Sequence, residues 1–219
     1  MREYITIVIW STTIRQRTSG GHVSRTEQKA MTRQRIVEAA GRGFRRNGFG
    51  GIGVDGLAKE AGVTSGAFYV HFPSKSAAFC DVVSHGLADL KAGVLHFQSE
   101  HGRDWWPEFV RFYLSTKRTC DLSESCSLQS LSPEVARSDE TARAAFESGL
   151  CDVAAAILAG PKSPGMPRDQ EGACAALASL VGAVTLARAI GSETMAEQMA
   201  SATGRMLLGT RWDTRPTTG

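Results

Sequence analysis

The sequence predicts an all-α protein: an N-terminal three-helix unit carrying a helix-turn-helix, followed by a larger helical unit. Three observations lead there. Apolar residues recur at three- and four-residue spacing along most of the chain. Beyond Gln98 no run alternates apolar and polar residues as a half-buried strand does, and no Asn-Gly hairpin signal occurs. Residues 54–72 hold two short helical patterns joined by a turn of about four residues, the helix-turn-helix spacing.

Residues 1–23 open with apolar YITIVIW (Tyr4–Trp10) and continue as polar, glycine-containing STTIRQRTSGGH. The apolar part is short for a secretory signal and no small-residue cleavage site follows, so these residues are read as a disordered or non-native extension. The first helix is expected over Thr26–Asn47, with Ile36, Val37, Ala40 and Phe44 on one face and Arg33, Arg35, Arg42, Arg45 and Arg46 over much of the rest. Asn47-Gly48 is its stop signal. VDGLAKEAG gives a second helix of about two turns with Val54, Leu57, Ala58 and Ala61 inward, closed by Gly62.

Thr64 or Ser65 caps a third helix, and Pro73 ends it because proline disfavours a helical conformation in the residue before it. At 100° per residue Phe68 and Phe72 project together into the core. Gly66, Ala67 and Val70 lie opposite, a bare outer strip flanked by Tyr69 and His71. Such a helix fits flat against a DNA major groove, with polar tips reaching phosphates. Ser74 caps the next helix, running to about Gln98, and Lys75 at its start favours phosphate too.

Further on, DWWPEFVRFYLSTK is an aromatic-rich helix of about three turns, and SCSLQSLSPEVAR is a short helix broken near Pro133. DETARAAFESGLCDVAAAILAG is a long amphipathic helix, PKSPGMPRDQ a loop, and EGACAALASLVGAVTLARAI with SETMAEQMASATGRMLLG the final pair. RWDTRPTTG is read as a frayed tail. The domain expectation is 24–75 for the helix-turn-helix unit, 76–210 for the second unit and 211–219 for the tail.

Charge divides along the same line. Residues 1–75 hold 12 Lys/Arg and 5 Asp/Glu, a net of +7, whereas residues 76–219 hold 13 against 17, a net of −4. A basic head on an acidic body points the head toward an anionic partner. No apolar run approaches the ~18–20 residues of a membrane span. The five cysteines are odd in number and widely spaced without a CxxC pair, which argues against a disulfide framework or a zinc site and fits a reducing cytoplasm. Most are expected to be small buried hydrophobes.

The run from Thr32 to Lys75 closely resembles the DNA-binding domain of TetR-family transcriptional regulators. The resemblance rests on A-A-x-x-x-F at Ala39, Ala40 and Phe44, on Gly48-Phe49, on L-A-x-x-A-G-V over Leu57–Val63, and on G-A-F-Y-x-H-F-x-S-K over Gly66–Lys75. It implies that Thr64, Ser65, Gly66, Ala67 and Val70 face bases, while Tyr69, His71 and Lys75 hold phosphates. Two positions depart from the pattern. Gly53 stands where the family has a capping Ser or Thr, and Gly56 sits inside the second helix, each at a cost to its stability.

The resemblance also implies that the second unit is a helical effector sensor and dimer interface. Trp105, Trp106, Phe109, Phe112 and Tyr113 supply aromatic area suited to lining a pocket for an apolar or aromatic effector, with Cys126 and Phe146 as further candidates; packing the bundle core is the competing role. SCSLQSLSPEVAR resembles the C-P-L-x-x-L-x-x-E-V-A-R stretch of some of these regulators, with Ser127 replacing proline. The small residues of the last two helices suit a four-helix interface with a second copy. The expectation is thus a cytoplasmic homodimeric repressor of a palindromic operator, released by a small effector. It has no catalytic residue, cofactor, metal or membrane partner. The alternatives are a thiol-based redox or electrophile sensor acting through Cys120 or Cys126, and an all-α enzyme. The enzyme is disfavoured by the lack of P-loop, GxGxxG, HExxH and G-x-S-x-G motifs.

Overall fold

The computed structural model describes residues 24–212, and the 1–23 extension and residues 213–219 of the expected tail lie outside them. Among the described residues the chain is helical with no strand. Helix α1 spans Arg25–Gly51, α2 Val54–Glu60, α3 Ser65–His71 and α4 Lys75–His101. They are followed by α5 (Trp105–Thr119), α6 (Ser127–Ala136), α7 (Glu140–Ala159), α8 (Gln170–Ala189) and α9 (Glu193–Leu208). Short 3-10 turns lie at Gly102–Asp104, Leu122–Glu124 and Gly209–Trp212.

The helix starts follow from side-chain caps. Ser24 and Glu27 form a reciprocal capping box at α1, satisfying two orphan N–H groups. Thr64 Oγ1 accepts from Ala67 N at α3, and Ser74 Oγ accepts from Ala77 N at α4. Gly48 breaks the regular path of α1 near its end with φ 72°. At the end of α2, Gly62 (φ 66°) lets its own N–H reach the Lys59 carbonyl while Val63 N–H reaches Ala58. This is a Schellman closure, and it aims the chain into the turn before α3.

Two elements differ from the sequence expectation. Helix α6 is continuous across Pro133, its seventh residue, because buried Leu128, Leu131 and Val135 seat it on the core despite the missing N–H. The chain end does not fray at Arg211: Trp212 packs on Gly204, where an added Cβ would stand 2.2 Å from the indole ring.

The core is one continuous cluster from Ile36 in α1 to Leu208 in α9. Helix α4 joins the two units, packing on α1 at its start and on α5, α6 and α7 further along. Phe79 of α4 meets Phe44 and Phe49 edge-on at 5.3 and 5.1 Å. Helix α8 is long and apolar enough, by length and composition, to cross a membrane, although no unbroken apolar run marks it in the sequence. It nevertheless buries Ala173, Ala176, Leu177, Leu180 and Val184 against α5, α6, α7 and α9, as a core helix does.

Candidate functional site

Helix α3 is fixed from inside and bare outside. Phe68 and Phe72 are 0% and 1% exposed and stack obliquely on each other at 5.5 Å, whereas Tyr69 and Val70 are 54% and 68% exposed. Gly66 is exposed, a Cβ there meeting only Thr64 Oγ1 at 3.9 Å, and Ala67 is half-buried. The outer strip expected from the helical wheel is therefore present. Thr64 and Ser65 are partly engaged internally: Thr64 caps α3, and Ser65 Oγ donates to Asp55 of α2 at 2.5 Å. The Ser65–Asp55 bond locks the two helices of the motif in register.

The phosphate candidates surround this strip. His71 is half-buried with its Nδ1 enclosed and without a partner. Burial, then Lys29 and Arg33, hold its pKa below the usual histidine value, so it stays neutral at pH 7. Lys75 Nζ lies over the Phe49 ring at 4.4 Å, a cation–π contact that steadies the ammonium beside the helix start. Gly53 leads into α2 with no side-chain cap, so the hydroxyl expected there by resemblance is absent. Gly56, a weak point by propensity, has a packing reason: a Cβ there would meet Ile52 Cγ1 at 2.9 Å.

The arginines of α1 do more inside the protein than their charge suggested. Arg33 donates to the His71 carbonyl at 2.6 Å, pairs with Asp81 at 2.5 Å and covers the Phe72 ring at 4.2 Å. It thereby pins the end of α3 to both α1 and α4. Arg35 Nη2 donates to the Ala61 carbonyl at 3.0 Å, holding the end of α2. Arg46 sits 3.6 Å from Glu60 and 3.7 Å from Asp121. Arg45 reaches into the second unit, its Nε donating to the Ser123 carbonyl at 2.7 Å and its Nη1 to Ser127 Oγ at 3.2 Å.

A second site lies where these units meet. A cavity of about 90 Å³, partly open to solvent, is walled by Phe97, Phe109, Phe112 and Tyr113, with Arg45, Lys117 and Cys126 among its polar lining. The rings form a connected set, Phe97 lying 5.6 Å from Phe109 and 5.2 Å from Phe112. Of the residues expected to line a pocket, Phe109, Phe112, Tyr113 and Cys126 do so; Trp105, Trp106 and Phe146 do not. Trp105 and Trp106 are fully buried at the start of α5, where Trp105 Nε1 donates to the Pro161 carbonyl at 2.9 Å and pins the proline-rich loop. Phe146 packs against the core from α7. Sequence reasoning missed Phe97, Leu90 and Gly93 of α4, because helical periodicity does not show which part of a long buried face borders a void.

The rim of the pocket is gripped from the C-terminal helices as well. Arg188 of α8 donates to the Lys117 carbonyl at 2.6 Å, to the Cys120 carbonyl at 3.0 Å and to Cys120 Sγ at 3.1 Å. Arg118 pairs with Glu193 and Glu197 of α9 at 2.8 and 2.7 Å. The cysteines correct the expectation of mostly buried thiols. All are free, but only Cys126 is buried; Cys80 and Cys120 are half-exposed, and Cys151 and Cys174 are exposed. Helices facing solvent tolerate a small thiol as readily as an alanine.

Three linked helices with a capped, outward-facing third helix define the N-terminal unit as a helix-turn-helix domain. Residues 36–79 match the family model described as bacterial regulatory proteins, tetR family. An 81-residue stretch is 35% identical to the HTH-type transcriptional regulator AcrR of Shigella flexneri, covering 36% of this chain and 38% of that protein. The chain thus spans about two fifths of the length of the curated relative it matches. Among solved structures, the reduced form of E. coli NemR agrees with a TM-score of 0.63 at 20% identity over 79% of this chain and 95% of that one. A TetR-family transcriptional regulator from Agrobacterium tumefaciens gives 0.61 at 22% identity over 83% and 100%. At such identities these structures speak for the fold alone. Residues 36–79 thus form a tetR-type helix-turn-helix domain, and the described chain shares the all-helical fold of these regulators, with the helix-turn-helix first and further helices after it.

Proposed function

We propose that the protein is a DNA-binding transcriptional regulator: a homodimeric repressor that sits on a palindromic operator and leaves it when a small apolar or aromatic effector binds. The observation that carries this reading is the outer face of α3, where Val70 and Tyr69 stand exposed on a helix anchored by fully buried Phe68 and Phe72. Thr64, Ser65, Gly66, Ala67 and Val70 are proposed to meet base edges, and Tyr69, His71 and Lys75 to hold phosphates. Few side-chain hydrogen bonds to bases are available on this strip. Apolar contacts and DNA shape carry much of the specificity.

The pairing surface is proposed on α8 and α9, where Leu186, Met195 and Met206 are exposed in the single chain. A two-fold pair sets its two α3 helices about 34–36 Å apart, one turn of DNA. The effector is proposed to occupy the pocket behind Arg45, favouring a dimer with its reading heads wrongly spaced. Footprinting on the DNA upstream of its own gene tests the reading, and the absence of a footprint at low salt refutes it. Lys75→Ala is expected to weaken binding across sequences and to lower the salt slope by about 1. A sedimentation mass of one chain at micromolar concentration would refute the dimer.

A second reading has one observation in its favour. Arg188 places a guanidinium against the half-exposed Cys120 Sγ, a position an oxidant or electrophile can reach, whereas Cys126 is buried in the pocket wall. Alkylation of the thiols that leaves operator affinity and its effector response unchanged removes it.

A further inference from the structure

The pocket contains a half-buried cation whose hydrogen-bond partners are all neutral. Arg45 belongs to α1 of the DNA-binding unit, yet its guanidinium lines the pocket of the second unit and is bonded there to the Ser123 carbonyl and the Ser127 hydroxyl. Glu124 and Asp89 also line the pocket and act on it through space, but it forms no direct ion pair among the described residues. Asp89 lies 3.5 Å from His85 instead. Other donors face the same space. Tyr113 Oη is fully buried with only the Cys126 thiol beside it, and burial, then Cys126, hold the phenol well above its usual pKa, so it remains a donor. Lys117 Nζ also lines the pocket, bonded at 2.9 Å to the Glu124 carbonyl.

Size adds a second argument. At about 90 Å³ the cavity is smaller than the roughly 150 Å³ apolar void that accepts benzene in an engineered protein core. A ring bearing a head group enters only if a wall moves. The aromatic wall is packed ring against ring, whereas the Arg45 side is held by two hydrogen bonds to neutral groups. A charged acceptor outcompetes neutral ones for a guanidinium.

We propose that the effector is an organic acid with an aromatic or apolar body, whose anionic group takes Arg45 from Ser123 and Ser127 and so unfastens α1 from the pocket rim. Arg45 is then both the anion's partner and the link by which the pocket speaks to the reading head. Tyr113 donates to the same acid group, and Phe97, Phe109 and Phe112 receive the apolar body. The inference rests on the effector reading given above, and deepens it by naming the ligand class and the bond that responds.

The test uses the full chain and a series of arylcarboxylates from benzoate to 4-phenylbutyrate, each beside its primary amide. Binding is read by calorimetry, and release by displacement of a labelled upstream promoter fragment. The acids are expected to bind and release DNA at concentrations roughly tenfold below the amides, the difference between a charged and a neutral hydrogen-bond partner. Arg45→Met is expected to erase that preference. If that variant fails to fold, Arg45→Lys serves: acids still bind, but promoter affinity is already low without them because the two-bond clasp is absent, so acid adds little further release. Gly93→Leu, which projects into the cavity, is expected to block acids and amides alike, with Gly93→Ala as a milder substitute. Equal potency of acids and amides, a preference that survives in Arg45→Met, or no binding by either series overturns the inference. Acid binding that persists undiminished in both Gly93 variants overturns the pocket reading itself, a different failure.

Discussion

Two glycines on α4, Gly86 and Gly93, are seven residues apart and so share a face, yet the structure predicts opposite outcomes for the same substitution. A Cβ at Gly93 meets no heavy atom within 4 Å and points toward the pocket. Gly93→Ala therefore removes the conformational cost of a mid-helix glycine, roughly 0.5–1 kcal/mol, without a clash. The new methyl adds up to about 0.8 kcal/mol if it is buried fully. A gain of about 1–1.5 kcal/mol raises the Tm of a chain this size by roughly 2–6 °C. A Cβ at Gly86 stands 2.2 Å from Ser127 Oγ and 2.3 Å from Ser127 Cβ, so α4 and the start of α6 must separate. Overpacking of this kind costs about 1–3 kcal/mol, more than the propensity gain. Gly86→Ala should lower the Tm by several degrees, on the order of 2–8 °C, and loosen the Arg45–Ser127 bond beside it. Thermal unfolding by circular dichroism measures both at fixed protein concentration. Equal shifts in the two variants, or a fall in Gly93→Ala, would refute the packing argument.

The remaining predictions concern the reading head. Gly53→Ser restores a side-chain cap to α2 in open space, with an expected gain of a few tenths of a kcal/mol and tighter DNA binding through one added phosphate contact; urea unfolding and a salt titration check the two parts. Arg33→Met cuts the bond to the His71 carbonyl and the pair with Asp81, and half-exposed as that pair is, operator affinity should drop more than stability does. Because His71 has a lowered pKa in the fold, the unfolded chain takes up its proton first as pH falls. Its contribution is complete above about 6.5, the unfolded value, and is lost as pH drops through the lower folded value. The loss of Tm between pH 7.5 and 5.5 should therefore be smaller in His71→Gln than in the unsubstituted protein, and an equal loss would contradict the assigned direction.

The short-range signals of this sequence were legible because they act within one turn. Thr64 and Ser74 cap the helices they were expected to cap, Gly48 and Gly62 take positive φ where chain reversal needs it, and Phe68 and Phe72 are inward on an eight-residue stretch. What escaped depends on contacts far apart in sequence. Arg45 meets Ser123 and Ser127 some eighty residues on, a pairing no local pattern announces. The surplus of arginines was read as a surface for an anion, but Arg33, Arg35 and Arg45 each close an internal carbonyl. Trp105 and Trp106 looked like pocket walls by size and were core instead, since aromatic bulk alone does not distinguish filling a void from bordering one.

The Phe44–Phe49–Phe79 cluster has a consequence for anyone who would recombine chains of this fold. The boundary expected after Lys75 from the sequence would cut through the middle of a packed aromatic trio, and Arg45 and Arg46 cross it again to reach Ser123 and Asp121. A reading head transplanted at that seam would arrive with half of each contact. A working graft should carry the first turns of α4, through Val83, together with the turn from Asp121 to Ser127. The unit that would have to be inherited together is therefore discontinuous, and larger than the helix-turn-helix itself.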